Sequence, residues 1–159
     1  MIVGLGMDVV EVARIQRILA GPPELAGRFL ARCFTAAERA YCDPARDRAT
    51  RYAARFAAKE AASKALGAPA GISWHDVEVA RGDGPPSLVI RGIAADAARK
   101  AGATRVHVTL THDAGVAAAT VILEGTPPPQ PRSAGRRKSE DESPPQPRSA
   151  GRRKSEGRP

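Results

Sequence analysis

Two short stretches hold the residues best placed to do chemistry. In FAAKEAASKALG, residues 56–67, Glu60 stands among alanines with Lys59 before it and Lys64 four positions after it. Alanine is the strongest helix former, so a helix is expected here. On a helix Phe56, Glu60 and Lys64 share one stripe, and Arg51, Arg55 and Lys59 share a second about 100° around. In MIVGLGMDVV, residues 1–10, Asp8 closes an alternating run whose even positions include Gly4 and Gly6. Each carboxylate has an ordinary reading. Glu60 ahead of Lys64 is the favoured helical ion pair, contributing about 0.3–0.5 kcal/mol. Asp8-x-x-Glu11 has the spacing of a helix cap. The two together fit a different chemistry. Magnesium takes one or two protein carboxylates and completes its shell with water and substrate phosphates. Glu60 would then hold the cation, while Lys64 would face the anion that the cation also holds. Spacing leaves both readings open.

These residues need elements to position them. Alternation in MIVGLGMDV predicts a strand with Val3, Leu5, Met7 and Val9 on its buried face. Gly4 and Gly6 leave the other face bare, open to close approach by a backbone or a ligand. VVEVARIQRILAGPP carries a helical stripe of Val12, Ile15, Ile18 and Leu19, ended by Gly21-Pro22-Pro23. ELAGRFLARCF predicts a second helix. TAAERAYC has a capping-box spacing, with Thr35 as N-cap and Glu38 three residues on. A long helix from about Thr50 to Leu66 stops at Gly67 and Pro69. Beyond it the period changes. HDVEVAR and SLVIRG form a hairpin around GDGPP, IAADAARKAG a short helix, and RVHVTLT with VAAATVILE a second hairpin turning at HDAG. The expected fold class is α+β: an N-terminal strand, helices including one long one, then largely antiparallel β-hairpins.

The chain has 159 residues, enough for one domain, and 42% of them are hydrophobic. Residues 126–159 depart from that average. Their only hydrophobic residues are Ala134 and Ala150, and they hold eight of the fourteen prolines. Such a segment buries too little apolar surface to offset its ordering entropy. The expected organisation is a domain over 1–125 and a disordered Pro/Arg-rich tail over 126–159. The tail repeats PPQPRSAGRRKSE at 128–140 and 144–156 without hydrophobic positions to stack, so it is low complexity rather than a solenoid. Of the net charge of +8, the tail carries +5 and the body +3. Cys33 and Cys42 are too few for a disulfide framework and lack zinc spacing, so buried free thiols are expected. No apolar run approaches the roughly 20 residues of a membrane span, and the first residues lack the positive n-region of a signal peptide. The expectation is a cytoplasmic protein without a membrane role.

GMDVVEVARI at 6–15 and RFAAKEAASKAL at 55–66 resemble the two signature segments of holo-acyl-carrier-protein synthases, small 4′-phosphopantetheinyl transferases. HVTLTHDAGVAAATVILE at 107–124 is similar to the last hairpin of that family, so the likeness spans about residues 1–124. The resemblance implies a magnesium-dependent transfer. A serine of apo-acyl carrier protein attacks the β-phosphate of coenzyme A, the 4′-phosphopantetheine arm moves, and 3′,5′-ADP leaves. It implies Asp8 and Glu60 as magnesium ligands and, with Lys64, as the catalytic set, Lys64 neutralising the diphosphate. The serine proton would go to Glu60 or to water. The resemblance also implies that Arg55, Lys64 and His112 bind the coenzyme A co-substrate. Lys59 would face the nucleotide or a subunit boundary, and His75 and His107 have no assigned role. Arg14, Arg17 and Arg28 would meet the acidic carrier protein, steering encounter more than adding affinity. A homotrimer with active sites between subunits and a place in fatty-acid biosynthesis follow from the same likeness.

A competing function belongs to another class. The two RRK clusters of the tail would suit a polyanion- or nucleic-acid-binding interaction protein with strong salt dependence. Against this, the tail has no aromatic residue for base stacking and each cluster is followed by acidic residues. The sequence does not distinguish fatty-acid from polyketide carrier proteins, nor set the tolerance for acylated coenzyme A.

Overall fold

Glycine decides how the first strand packs. The computed structural model describes residues 1–81 and 84–128. Strand β1 (Ile2–Glu11) lies antiparallel to β5 (Val116–Gly125), which pairs on its other edge with β4 (Ala103–Asp113), giving the order β1-β5-β4. The 18-residue helix α4 (Arg48–Ala65) crosses the inner face of this sheet. A Cβ on Gly6 would sit 2.0 Å from the Ala61 carbonyl oxygen, and one on Gly4 would sit 2.4 Å from that of Ala65. Ala57, Ala58, Ala61 and Ala62, all fully buried, complete a helix face thin enough for backbone to meet backbone.

This contact reverses the expected burial of β1 from Leu5 to Val9, while Val3 packs against the core as expected. The helix takes the glycine face, so Leu5, Met7 and Val9 point outward and are 63%, 61% and 52% exposed. Alternation identified the strand correctly, but apolar side chains were the wrong guide to its inner side, because glycine offers the closer fit to a helix backbone. The outward row continues across the sheet, where Leu5 faces Ile122 and Met7 faces Thr120.

Four other helices accompany α4 among the described residues. Helix α1 (Val12–Ala20) ends at Gly21, and α2 (Pro23–Cys33) begins with proline in its first turn. Helix α3 (Ala36–Cys42) opens with the expected capping box between Thr35 and Glu38. Helix α5 (Gly92–Lys100) follows a second, two-stranded antiparallel sheet of β2 (Val77–Ala80) and β3 (Ser87–Ile90). The expected α+β class therefore holds, with the antiparallel strands divided between two sheets. Ala114 and Gly115, with φ of 47° and 80°, make the turn joining β4 to β5. This is the two-residue geometry that suits hairpin twist. The Gly115 carbonyl accepts from the Val12 N–H at 2.9 Å, tying the turn to the start of α1.

The core beneath α4 is aromatic at one end. Phe34 packs 4.6 Å from Tyr52, Phe29 stacks on Phe56, and Phe56 stacks on Trp74 at 4.7 Å, all distances between ring centroids. Cys33 and Cys42 are free and buried, as expected. Past β5, Thr126 donates to the Gly102 carbonyl at 3.0 Å. Most of the tail expected to be disordered, including nearly all of both repeat copies, lies outside the described residues.

Candidate active site

Asp8 is three residues inside β1, and the N-cap of α1 is Glu11, which makes no side-chain capping bond. The capping reading of Asp8 is therefore not realised. On the inner face of the sheet, Asp8 points toward α4, and Lys64 reaches it across 56 positions of sequence. Lys64 Nζ donates to Asp8 Oδ1 at 2.8 Å and to the Met7 carbonyl at 3.1 Å. This hydrogen bond raises the Lys64 pKa, and the charges of Asp8 and Glu60 add to the effect. The expected Glu60–Lys64 pair is thus replaced by an Asp8–Lys64 pair. Glu60, one turn earlier on α4, is half-buried and has no hydrogen-bond or ion-pair partner among the described residues. A strand and a helix have brought two acids and a base to one place, with one acid left without a partner.

Beside Glu60 lies a cavity of 160 Å³ between α4 and the segment before β2, lined by Lys59, Ser63, Ile72, Ser73, Trp74 and Val77. Lys59, expected to face the nucleotide or a subunit boundary, is buried within the chain. Its side chain is 1% exposed and pairs at 2.9 Å with Glu38, which is fully buried. Burial holds the Lys59 pKa below the usual lysine value, while the Glu38 carboxylate pulls it back up. The 3.6-residue period placed Lys59 with Arg51 and Arg55 correctly. It carried no sign of a carboxylate 21 positions earlier, because that contact depends on how α3 packs.

Of the three residues expected to bind coenzyme A, Arg55 and His112 come together in one cleft, which Lys64 does not line. The cleft measures 340 Å³ and is also lined by Arg51, Arg81, Tyr41 and Pro86. The Tyr41 ring gathers three guanidiniums, with Arg55, Arg51 and Arg81 at 4.2, 4.7 and 5.8 Å from its centroid. Of these, Arg51 also pairs with Asp47 at 2.9 Å. Arg55 Nε is buried without a partner among the described residues. Three arginines gathered around one tyrosine ring, with a histidine lining the same cleft, have the chemistry to hold a phosphate group. Sequence reading missed Tyr41 and Arg81. Arg51 lay on the right stripe without an assigned role, and Tyr41 carries no signal except its place on the helix after the capping box.

Arg14, Arg17 and Arg28 are exposed on the two helices that follow β1, and those helices pack against one another. Among the described residues no group of three or more His, Cys, Asp or Glu gathers to hold a metal. No described helix is long and apolar enough to cross a membrane.

The profile of the 4′-phosphopantetheinyl transferase superfamily matches residues 4–121, from the glycine face of β1 to the middle of β5. The chain belongs to this superfamily. Its superfamily relatives include a holo-[acyl-carrier-protein] synthase of Anaeromyxobacter dehalogenans, 74% identical over 128 residues, covering 80% of this chain and all of the relative. The fold is similar to that of the Helicobacter pylori holo-[acyl-carrier-protein] synthase solved in complex with coenzyme A. There the TM-score is 0.64 at 27% identity, covering 76% of this chain and 99% of that one. A Bacillus anthracis holo-(acyl-carrier-protein) synthase, solved in complex with CoA (3′,5′-ADP), gives 0.62 at 33% identity, over 79% of this chain and 99% of that one. The matched span holds both β1 and α4, the elements that meet at Asp8 and Lys64.

Proposed function

We propose that this chain is a holo-acyl-carrier-protein synthase. It moves the 4′-phosphopantetheine arm of coenzyme A to a serine of apo-acyl carrier protein and releases 3′,5′-ADP. The observation that carries the site is the meeting of Asp8 and Lys64 at 2.8 Å, 56 residues apart, with Glu60 one turn away. The donor set fits magnesium: two carboxylates, one of them without a protein partner, and too few ligands for a cage without substrate. Asp8 and Glu60 would hold the ion, which when bound supplies charge neutralisation on the diphosphate oxygens.

The remaining steps belong to the side chains. Lys64, anchored on Asp8 and the Met7 carbonyl of β1, faces the diphosphate and stabilises charge that grows on the leaving nucleotide as the bond to the β-phosphorus breaks. The serine hydroxyl forms the new bond and gives up its proton, to Glu60 or to water. Arg51, Arg55, Arg81 and His112 hold phosphate of the nucleotide. Arg14, Arg17 and Arg28 orient the acidic carrier protein. The outward apolar row of β1 supports self-association, which we read as the trimer with active sites between subunits. The setting is the cytosol and the service fatty-acid synthesis. The domain is 1–125, with the tail outside it.

Mass spectrometry of an apo-carrier protein incubated with this chain, coenzyme A and magnesium tests the reading. The expected product is the phosphopantetheinylated protein, formed with magnesium and abolished by a chelator. A carrier protein of unchanged mass after prolonged incubation overturns the assignment.

A further inference from the structure

The buried Lys59–Glu38 pair is not used by the chemistry above. Replacing a buried ion pair by apolar side chains of similar volume is often neutral or stabilising, so stability alone gives little account of it. Its geometry is informative. The Lys59 ammonium has three oxygen partners: Glu38 Oε2, the Trp74 carbonyl at 2.8 Å and the Val77 carbonyl. Two of them are main-chain groups of the segment that forms the far wall of the cavity beside Glu60. Glu38 fastens the same assembly from behind. Its Oε1 accepts from the Val79 N–H at 2.9 Å, and its Oε2 accepts from the Thr35 N–H at 2.9 Å. One ammonium, on the residue next to Glu60 in α4, thus joins α3, α4, β2 and the turn at Trp74–Asp76.

We infer that Lys59 is a positioning residue for the transfer reaction: by gripping the Trp74 and Val77 carbonyls it fixes the cavity wall that faces Glu60. The inference rests on the transferase reading. An apolar residue at this position would fill the space but leave both carbonyls without their donor, and the wall would lose its tether to α4. Trp74 would then keep its stacking on Phe56 but not its main-chain link to α4. The reaction depends on geometry more than on covalent help from the protein, so loosening of this wall is expected to lower turnover.

Trp74 is the single tryptophan of the chain and reports on the wall directly. The test compares full-length wild type, Lys59→Met with Glu38→Gln, and Glu38→Gln alone. The double variant leaves no uncompensated buried carboxylate, and the single variant keeps the shape of the pair. Acrylamide quenching of Trp74, 3′,5′-ADP binding, and kcat and KM for the carrier protein are measured on each folded variant. The expected result for the double variant is a quenching constant at least about twice that of wild type. Its kcat should fall about tenfold or more, with KM for the carrier protein and affinity for 3′,5′-ADP within about twofold. Glu38→Gln should change quenching and kcat in the same direction by less. Unchanged quenching with reduced kcat, or unchanged kcat with either quenching result, overturns the inference. Wild-type protein that modifies no carrier protein speaks instead against the transferase reading.

Discussion

Asp8 and Glu60 carry the same charge into different surroundings, and the difference predicts how each responds to substitution. Asp8 is paired with Lys64, whereas Glu60 projects from α4 without a partner among the described residues. Glu60→Gln therefore removes no bond from the fold. Its stability should stay within about 0.5 kcal/mol of wild type, while kcat/KM falls about a hundredfold or more through loss of a charged group at the phosphates. Near-normal turnover would return Glu60 to the role of a surface charge. The thiols respond in another way. Burial pushes the Cys42 pKa up to about 11 from the ordinary 9.0. Folded Cys42 keeps its proton in that interval while the unfolded chain loses it, so stability should fall as pH rises from 9.0 toward about 11. Chemical unfolding across this range should show the decline, and Cys42→Ala should remove the Cys42 share of it, burial of Cys33 and Tyr52 acting in the same direction. Thiol reagents at neutral pH should label neither cysteine until denaturant is added.

At the scale of elements, β1 and α4 make the site because glycine lets them touch. Gly6→Ala places a methyl group 2.0 Å from the Ala61 oxygen, so strand and helix must separate. Overpacking of this kind costs about 1–3 kcal/mol, and denaturant unfolding should record it. The shift also moves Asp8 relative to Lys64, so the activity of folded Gly6→Ala should fall by more than its stability suggests. Full activity would mean that the close approach is incidental to the chemistry. The elements themselves were largely legible in the sequence. Alanine content marked α4, Thr35 and Glu38 marked the start of α3, and the turn at Ala114–Gly115 was readable from HDAG. Local spacing could not show which face of β1 is inner, since that depends on what packs against it. Nor could it show that Glu38 caps a helix and neutralises Lys59 at once. The motif residues were readable because a family pattern fixes them, while Tyr41 and Arg81 joined Arg55 only through tertiary packing.

At the scale of the whole molecule, the outward row of β1 leaves large apolar side chains in water unless something covers them. A second copy is the proposed cover. Met7→Asp should shift the sedimentation coefficient to that of a monomer and reduce turnover, if sites form between subunits. A wild-type monomer at micromolar concentration would contradict the assembly. The tail makes a separate prediction. Hydrogen bonding within the fold continues through Thr126, so a chain ending at Pro128 should retain wild-type kcat and KM for its carrier protein. Lost conversion would give residues 129–159 a part in the reaction.

Side chains of β1 alternate without interruption from Leu5 to Val9, oily ones outward and Asp8 inward. A strand has a frame of two, so a single inserted or deleted residue upstream of Asp8 would exchange the two sets. On the proposed reading, the acid would then be presented to a second copy, and methionine or valine to the phosphates. Ten residues would thus encode assembly and chemistry in one phase, and neither could be shifted alone.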